Sequence, residues 1–327
     1  MPQPVDDPDP VQQTDAVDST VAVDDTDAVN GTDPSPVIET LGDPAAGPTL
    51  AVLGGVHGDE PEGVLAAGAL LAHLRTRQDE LAGAVRIVRI ANPAAFAQRA
   101  RIAAGDDNLA RVFPGDAAGS PAQRIADRLA REVITAADLL VDLHSAGFHY
   151  EMPVFVGYDT TGPAGAAAAA EAFGAPVLWR HPSIGPGRTL SAATALGVPS
   201  IYVEGSGGGG VRGADLDVYR DGLLRVVAHL GILPDGPAPA PPPRVISRGD
   251  GNIDSSVAAG VAGWCVTRVV VGQTVEPDQT IAEIRGADGL VREVIVARTP
   301  GVIMMLRRTA AVAPGDGIAM IAELAEP

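Results

Sequence analysis

The stretch Thr-Leu-Ala-Val-Leu-Gly-Gly-Val-His-Gly-Asp-Glu-Pro-Glu-Gly, residues 49–63, decides the fold class. Its first five residues are mostly apolar and predict a buried strand, and residues 64–74 predict a helix. The glycines allow a tight turn between the two, and Pro61 suits the first turn of a helix. His57 and Glu60 therefore lie where a strand ends and a helix begins. Open α/β sheets bind their ligands at such strand ends.

His57 and Glu60 are three residues apart on this turn, so both side chains can face one cation. A neutral imidazole nitrogen and a carboxylate oxygen are ligands that zinc accepts, although this pair alone is common by chance. A second predicted buried strand, residues 138–143, leads directly into His144. Together the three residues would form a His-Glu-His set with one open position, which is typical of catalytic zinc sites. We therefore predict one Zn²⁺ ion per chain.

Composition and charge exclude several classes of protein. The 327-residue chain has a net charge of −18, and all of its basic residues are Arg. Nucleic-acid binding needs a basic face, so we expect no nucleic-acid partner. No apolar stretch reaches the roughly 18 residues that span a membrane, and the acidic N-terminus lacks the apolar segment of a signal peptide. With Cys265 as the single cysteine, these features predict a cytoplasmic protein without a membrane partner.

The acidity also suggests a halophilic source organism, because high salt screens the repulsion between like charges. An acidic tail on an ordinary bacterial protein is the alternative interpretation. The oligomeric state stays open, with a homo-oligomer as one option.

Composition along the chain divides it into four segments. Residues 1–44 are acidic and without aromatic residues, and we predict a disordered arm. Residues 45–233 alternate strand-like and helix-like runs, which predicts a mixed α/β sheet flanked by helices. Residues 234–243 are rich in Pro and Ala and predict an extended linker. Residues 244–327 have short β-rich runs and a faint repeat between 274–284 and 311–321, which indicates a small β-barrel-like domain.

The repeat looks like the half-barrels of biotinyl and lipoyl carrier domains. Those domains are modified on a Lys, and this chain has none. A carrier role is therefore excluded, and we expect the β-rich domain to cover the active site.

Five motifs occur in a fixed order along the chain. After the first metal motif come Asn92-Pro93-x-x-Phe96 with Arg101 downstream, and then Asn-Leu-Ala-Arg-Val-Phe-Pro-Gly at 108–115. The second metal motif is Asp-Leu-His-Ser at 142–145, and Tyr-Val-Glu-Gly-Ser-Gly-Gly-Gly follows at 202–209. From about residue 45 to 327 the chain resembles the succinylglutamate desuccinylase/aspartoacylase family, deacylases built on the zinc-carboxypeptidase fold. Five ordered motifs are far more specific than any one of them.

The resemblance implies zinc-dependent hydrolysis of the amide bond of an N-acylated amino acid or a related small amine. His57, Glu60 and His144 would hold the zinc ion, whose bound water has a lowered pKa. Glu204 would act as general base on that water and then pass the proton to the leaving amine. Arg101 would stabilise the oxyanion, and Arg111 would bind the substrate carboxylate bidentately.

One position departs from the family pattern. Ala110 stands directly before Arg111, where the family usually has Asn. A lost hydrogen bond to a charged group is worth ~1.5–3 kcal/mol. Either Arg111 binds the carboxylate alone, or the substrate is anchored differently, with Asn108 as a candidate that is also a plausible turn residue. This departure puts an aspartate or glutamate derivative in doubt as the substrate.

Several assignments stay open at this point. In a salt-adapted organism, acetylated diamino acids linked to compatible-solute metabolism are one candidate substrate, although no residue selects them. A zinc carboxypeptidase acting on small peptides and a non-catalytic binding protein on the same fold are the alternative functions. Asp142 would either orient His144 or serve as a structural carboxylate. His149, His181 and Arg188 are further candidates for the pocket.

Overall fold

A computed structural model describes residues 35–247 and 256–322. Most of the predicted acidic arm, residues 1–34, lies outside the described residues. Within the described part of the chain, no helix is both long enough and apolar enough to cross a membrane.

The first part of the described chain is built on a large mixed sheet. In chain order its strands, together with the short strand β5, are β1 (Glu39–Gly42), β2 (Thr49–Leu53), β3 (Ala84–Val88), β4 (Leu139–Ser145), β5 (Tyr150–Glu151), β6 (Phe155–Asp159), β7 (Val177–His181), β8 (Ser200–Gly205) and β9 (Arg244–Ile246). Without β5, they pair in the order β1-β3-β2-β4-β8-β6-β7-β9. Strand β1 is antiparallel to β3 and β6 is antiparallel to β8, whereas the other neighbours are parallel.

Helices cover both faces of this sheet, as the alternating sequence pattern predicts. They are α1 (Pro61–Arg75), α2 (Pro93–Gln98), α3 (Pro121–Leu129), α4 (Ala166–Phe173), α5 (Thr189–Ala195) and α6 (Gly213–His229). Apolar residues of α1, α4 and α6 form the core on one face, and those of α3 and α5 form the core on the other. The predicted mixed sheet with flanking helices is therefore confirmed.

Helix α3 shows how the local sequence sets an element's start. The Ser120 hydroxyl accepts a hydrogen bond from the Gln123 amide, and the Gln123 side chain accepts one from the Ser120 amide. This reciprocal capping box satisfies two amide groups that a helix start leaves without partners. The sequence Ser120-Pro121 itself predicts an N-cap at Ser120, and the structure confirms it.

The C-terminal part forms two antiparallel sheets. Its strands are β10 (Val257–Ala258), β11 (Gly263–Thr267), β12 (Thr274–Val275), β13 (Thr280–Arg285), β14 (Val291–Val296), β15 (Gly301–Arg307), β16 (Ala311–Val312) and β17 (Gly317–Ala322). One sheet has the order β10-β17-β15-β12, with β5 added beside β15, and the other has the order β14-β13-β11-β16. Residues from both sheets share one apolar core.

The sequence repeat corresponds to a repeated structural unit. Each copy has a two-residue strand followed, after a turn, by a six-residue strand: β12 and β13 in the first copy, β16 and β17 in the second. At equivalent positions of the two turns, Asp278 has a φ of 64° and Gly315 a φ of 92°. Asp and Gly are among the residues that best tolerate this left-handed conformation.

Two strand pairings join the C-terminal segment to the preceding part of the chain. Strand β9 follows the Pro-rich segment in sequence and pairs with β7 in the large sheet. Strand β5, which begins six residues after His144, pairs with β15. The division of the chain into four segments stays a prediction.

Gly58 lies where the turn after β2 meets helix α2. A Cβ atom built there would lie 2.0 Å from the carbonyl carbon of Ala95 and 2.3 Å from the Phe96 amide nitrogen. Because these neighbours are backbone atoms, they move only if the helix moves. We expect Gly58→Ala to lower the free energy of unfolding by about 3 kcal/mol, measured by chemical denaturation. Gly213→Ala is the control, since its Cβ would meet nothing within 4 Å. Equal stabilities of the two variants would contradict the close packing.

Candidate metal centre and active-site cavity

The fold brings together the three predicted metal ligands. His57 lies on the turn after β2, Glu60 is at the N-cap of α1, and His144 lies on β4, the strand beside β2. All three side chains are buried, and one ligand atom from each lies within 4.8 Å of the others. The Nδ1 atoms of His57 and His144 are each 2.8 Å from a different Glu60 carboxylate oxygen. These three residues can therefore face a single metal ion.

The outer nitrogen of each imidazole faces an oxygen acceptor. His57 Nε2 is 3.2 Å from Asn108 Oδ1, and His144 Nε2 is 3.0 Å from Asp142 Oδ2. The Asn108 oxygen also accepts from the Ala110 amide at 3.0 Å, which fixes its orientation as an acceptor. An acceptor at Nε2 favours the proton on that nitrogen and leaves the Nδ1 lone pair for a metal. Both rings are therefore presented in the tautomer that a ligand needs.

Burial and neighbouring charges set the protonation of the group. Burial is the main cause that lowers the pKa of His57 to about 4, and nearby Arg101 adds to it. Burial acts to raise the pKa of Glu60, yet the two histidines lower it well below its ordinary value. Burial acts to lower the pKa of His144, yet Asp142 and Glu60 raise it well above its ordinary value. Metals bind a neutral imidazole and an ionised carboxylate, so a metal ion bound here would take the place of the His144 proton. Two nitrogens and one carboxylate fit a zinc ion with an open position.

A cavity adjoins this group. Its wall contains His57, His144 and the predicted catalytic residues Arg101 and Glu204. The remaining lining residues are Ala110, Arg111, Asp142, Ser145, Ala146, Met152, Ile184, Arg188, Thr189, Leu190 and Tyr202. The cavity thus has three arginines, two carboxylates outside the metal group and one apolar side.

Glu204 reaches the cavity from β8, the neighbour of β4. The parallel register places Glu204 directly opposite His144, so the pairing of the two strands sets this carboxylate beside a candidate metal ligand. Its Oε2 atom is buried and has no hydrogen-bond partner among the described residues. Burial is the main cause that raises the pKa of Glu204 well above its ordinary value, and Glu60 acts in the same direction. This Oε2 oxygen is available to a water molecule or a substrate.

The two predicted functional arginines lie in different surroundings. Arg101 has a partly exposed side chain and donates from Nη1 to Glu60 Oε1 at 2.8 Å. Arg111 lies on a short 3-10 turn, Leu109–Arg111, and donates from Nη1 to the Ala110 carbonyl at 3.0 Å. Gly187 packs directly on the Arg111 backbone with a φ of +80°, so the loop before α5 and this turn form one wall.

Other predicted residues lie outside the cavity wall. Asn108 caps the 3-10 turn and contacts His57, and it is absent from the described residues that line the cavity. His181 is fully buried behind Tyr202, with its Nε2 atom 2.7 Å from the Tyr202 hydroxyl. His149 lies 3.3 Å from Thr309 of the C-terminal part. The substrate-binding role of Asn108 stays a prediction.

Sequence reasoning missed five residues of the cavity wall: Ala146, Met152, Ile184, Thr189 and Leu190. Apolar side chains carry no motif that separates a cavity wall from a core. For Thr189 and Leu190, the available signal was their position directly after Arg188 at a predicted helix start.

Comparisons with known proteins identify relatives of this chain. Residues 46–230 match the model for the succinylglutamate desuccinylase/aspartoacylase catalytic domain. The N-alpha-acetyl-L-2,4-diaminobutyric acid deacetylase of Halomonas elongata is 31% identical over 288 residues, which cover 86% of this chain and 83% of that protein.

Solved structures agree with this match. A succinylglutamate desuccinylase from Silicibacter sp. TM1040 has a TM-score of 0.80 and 28% identity and covers 88% of each chain. The product-bound ectoine utilization protein EutE (DoeB) from Ruegeria pomeroyi has a TM-score of 0.79 and 27% identity, over 88% of this chain and 87% of that one.

Proposed function

Since the chain belongs to the succinylglutamate desuccinylase/aspartoacylase family, we propose that it is a zinc-dependent deacylase of N-acylated amino acids. The observation that carries this proposal is Glu204, which lines the same cavity as His57 and His144 and whose buried Oε2 atom has no hydrogen-bond partner among the described residues. General-base catalysis needs a carboxylate that no cation neutralises within reach of the reacting water.

The chain's own residues divide the work of amide hydrolysis. A zinc ion held by His57, Glu60 and His144 would polarise the amide carbonyl and lower the pKa of a water molecule. Glu204 removes a proton from the attacking water and then delivers that proton to the nitrogen of the leaving amine. Arg101, at the exposed side of the cavity, donates hydrogen bonds to the oxygen that becomes negative. The products are a carboxylic acid and a free amine.

The charges of the cavity favour a substrate that carries a carboxylate. Arg111 and Arg188 line the wall together with Arg101, and a guanidinium binds a carboxylate through two parallel hydrogen bonds. The Halomonas elongata relative is named for an acetylated diamino acid. We therefore propose an N-acetylated diamino acid as the substrate. Ala110 is consistent with this proposal, because it lacks the Asn side chain that the family usually has beside the carboxylate-binding Arg.

The decisive experiment is amine release from a panel of N-acyl amino acids by purified, zinc-loaded protein in high salt. The panel contains N-acetyl-2,4-diaminobutyrate, N-acetylaspartate, N-succinylglutamate and blocked dipeptides. We expect the acetylated diamino acid to have the highest kcat/KM. Release from dipeptides alone would point to the carboxypeptidase alternative. No release from any member, with zinc still bound, would point to a non-catalytic binding protein.

Arg111 should act mainly on substrate affinity. We expect Arg111→Ala to raise KM about 10–100-fold with kcat changed only a few-fold, because a hydrogen bond to a charged group is worth ~1.5–3 kcal/mol. Arg111→Lys keeps the positive charge but loses the planar guanidinium that can form two parallel hydrogen bonds, so it should give an intermediate KM. Arg124→Ala, on the exposed surface of α3, is the matched control. A loss confined to kcat would contradict this role.

The halophilic source, the cytoplasmic location and the oligomeric state stay predictions. High salt in the assay follows from the net charge of −18, since salt at 1 M shortens the screening length to roughly 3 Å.

A further inference from the structure

We propose that Thr189 is a positioning residue for the metal centre, acting on His144 through Asp142. The inference rests on the proposed function, because it assumes that His144 is a metal ligand. The Thr189 hydroxyl donates to Asp142 Oδ2, and the same oxygen lies 3.0 Å from His144 Nε2. Thr189 is 1% exposed, Asp142 is 1% exposed and His144 is 8% exposed. The three side chains form a buried chain that ends at the metal group.

The carboxylate of Asp142 is held through one oxygen. Its Oδ1 atom is buried and has no hydrogen-bond partner among the described residues. The hydrogen bonds of this carboxylate with Thr189 and His144 therefore both use Oδ2. The hydroxyl of Thr189 thus determines which carboxylate oxygen faces His144. Without that hydroxyl, rotation of the carboxylate would let the His144 ring tilt and would move Nδ1 off the metal position. Outer partners of metal-bound histidines act in this way and fix both tautomer and ring orientation.

The position of Thr189 connects this chain to the substrate wall. Thr189 is the first residue of α5, directly after the N-cap residue Arg188, and both residues line the cavity with Leu190. His57 has a comparable arrangement, because its acceptor Asn108 belongs to the turn that carries Arg111. Each histidine is thus oriented by a segment that also presents an arginine to the cavity. The start of α5 sets the geometry of the metal ligand and of the substrate wall together.

The test is the zinc affinity of Thr189→Val, measured on the full-length protein by competition with a chromogenic chelator. Valine keeps the shape of threonine and removes the hydroxyl. We expect zinc to bind about 10–100-fold more weakly than to the wild type. Thr189→Ser, which keeps the hydroxyl, should bind zinc within a few-fold of the wild type. Thr194→Val is the matched control on the same helix, because the Thr194 hydroxyl is buried without a partner among the described residues.

Each outcome decides the proposal. Weak zinc binding in Thr189→Val with rescue in Thr189→Ser supports it. Unchanged zinc affinity in Thr189→Val, with only a lower Tm of the metal-free protein, would show a structural role and overturn it. Equal losses in Thr189→Val and Thr194→Val would also overturn it. A wild-type protein that binds no zinc would overturn both this inference and the proposed function, whereas the preceding outcomes leave the proposed function standing.

Discussion

Replacing Glu204 by Gln is expected to lower kcat about 10²–10⁴-fold, the range that a general base contributes. Gln fills the same space and cannot accept the proton of the attacking water. Because Glu204 lies beside the metal group and outside it, bound zinc should stay at one ion per chain, measured by elemental analysis. Glu171→Gln on the exposed surface of α4 is the control and should keep wild-type kcat.

The pH dependence of the wild type gives an independent check on Glu204. Burial and the nearby Glu60 raise the pKa of Glu204 above its ordinary value of 4.5. The carboxylate accepts a proton only when it is ionised, so kcat/KM should fall as the pH falls through this raised pKa. On the acid side the fall should approach tenfold per pH unit. A kcat/KM that stays constant down to pH 4.5 would contradict a raised pKa of Glu204 in the zinc-loaded enzyme, and a Gln variant with undiminished kcat would exclude Glu204 as the base.

Removing the metal should abolish activity. Dialysis of the protein against a chelator is expected to reduce amine release to background, and added Zn²⁺ should restore it. His57→Ala leaves two of the three donors, so we expect its zinc content to fall from one ion per chain to near zero. His229→Ala, an exposed histidine in the last turn of α6, should bind zinc like the wild type.

Full activity of the metal-free protein would disprove the metal-dependent mechanism. If a different divalent cation restored activity and zinc did not, the three residues would still be the metal ligands, but the bound ion would be that cation. The geometry supports both histidines as ligands, since each presents Nδ1 to Glu60 at 2.8 Å. His57 and His144 are 87 residues apart, and only the pairing of β2 with β4 explains their common orientation.

The approach of His57, Glu60 and His144 to one another was predictable, because the turn after one apolar run carries the first two and a second apolar run ends at the third. Parallel strands bring their carboxyl ends to one edge of the sheet, so His57 and His144 had to approach each other once β2 and β4 were neighbours. The helix-and-sheet alternation and the N-cap at Ser120 were also readable, since both depend on local sequence patterns.

Contacts between distant segments were not predictable in the same way. Nothing in the sequence indicates that Asn108 would face His57, because their separation of 51 residues carries no geometric information. The hydrogen bond from Thr189 to Asp142 and the pairing of β9 with β7 also join segments that are distant in sequence. Such contacts follow from packing, and no period in the sequence encodes them.

The pairing of β5 with β15 has a consequence for any attempt to shorten the protein. Phe155 and Trp179 of the large sheet share one buried cluster with Met305 and neighbouring residues of β15. A truncation after residue 243 would therefore strip β9 from the sheet, leave β5 without its partner and open this cluster to water. The smallest portion of the chain that can be expressed as an autonomous unit thus extends through β17. Chimeras with other deacylases should exchange β5 and the C-terminal strands as a set.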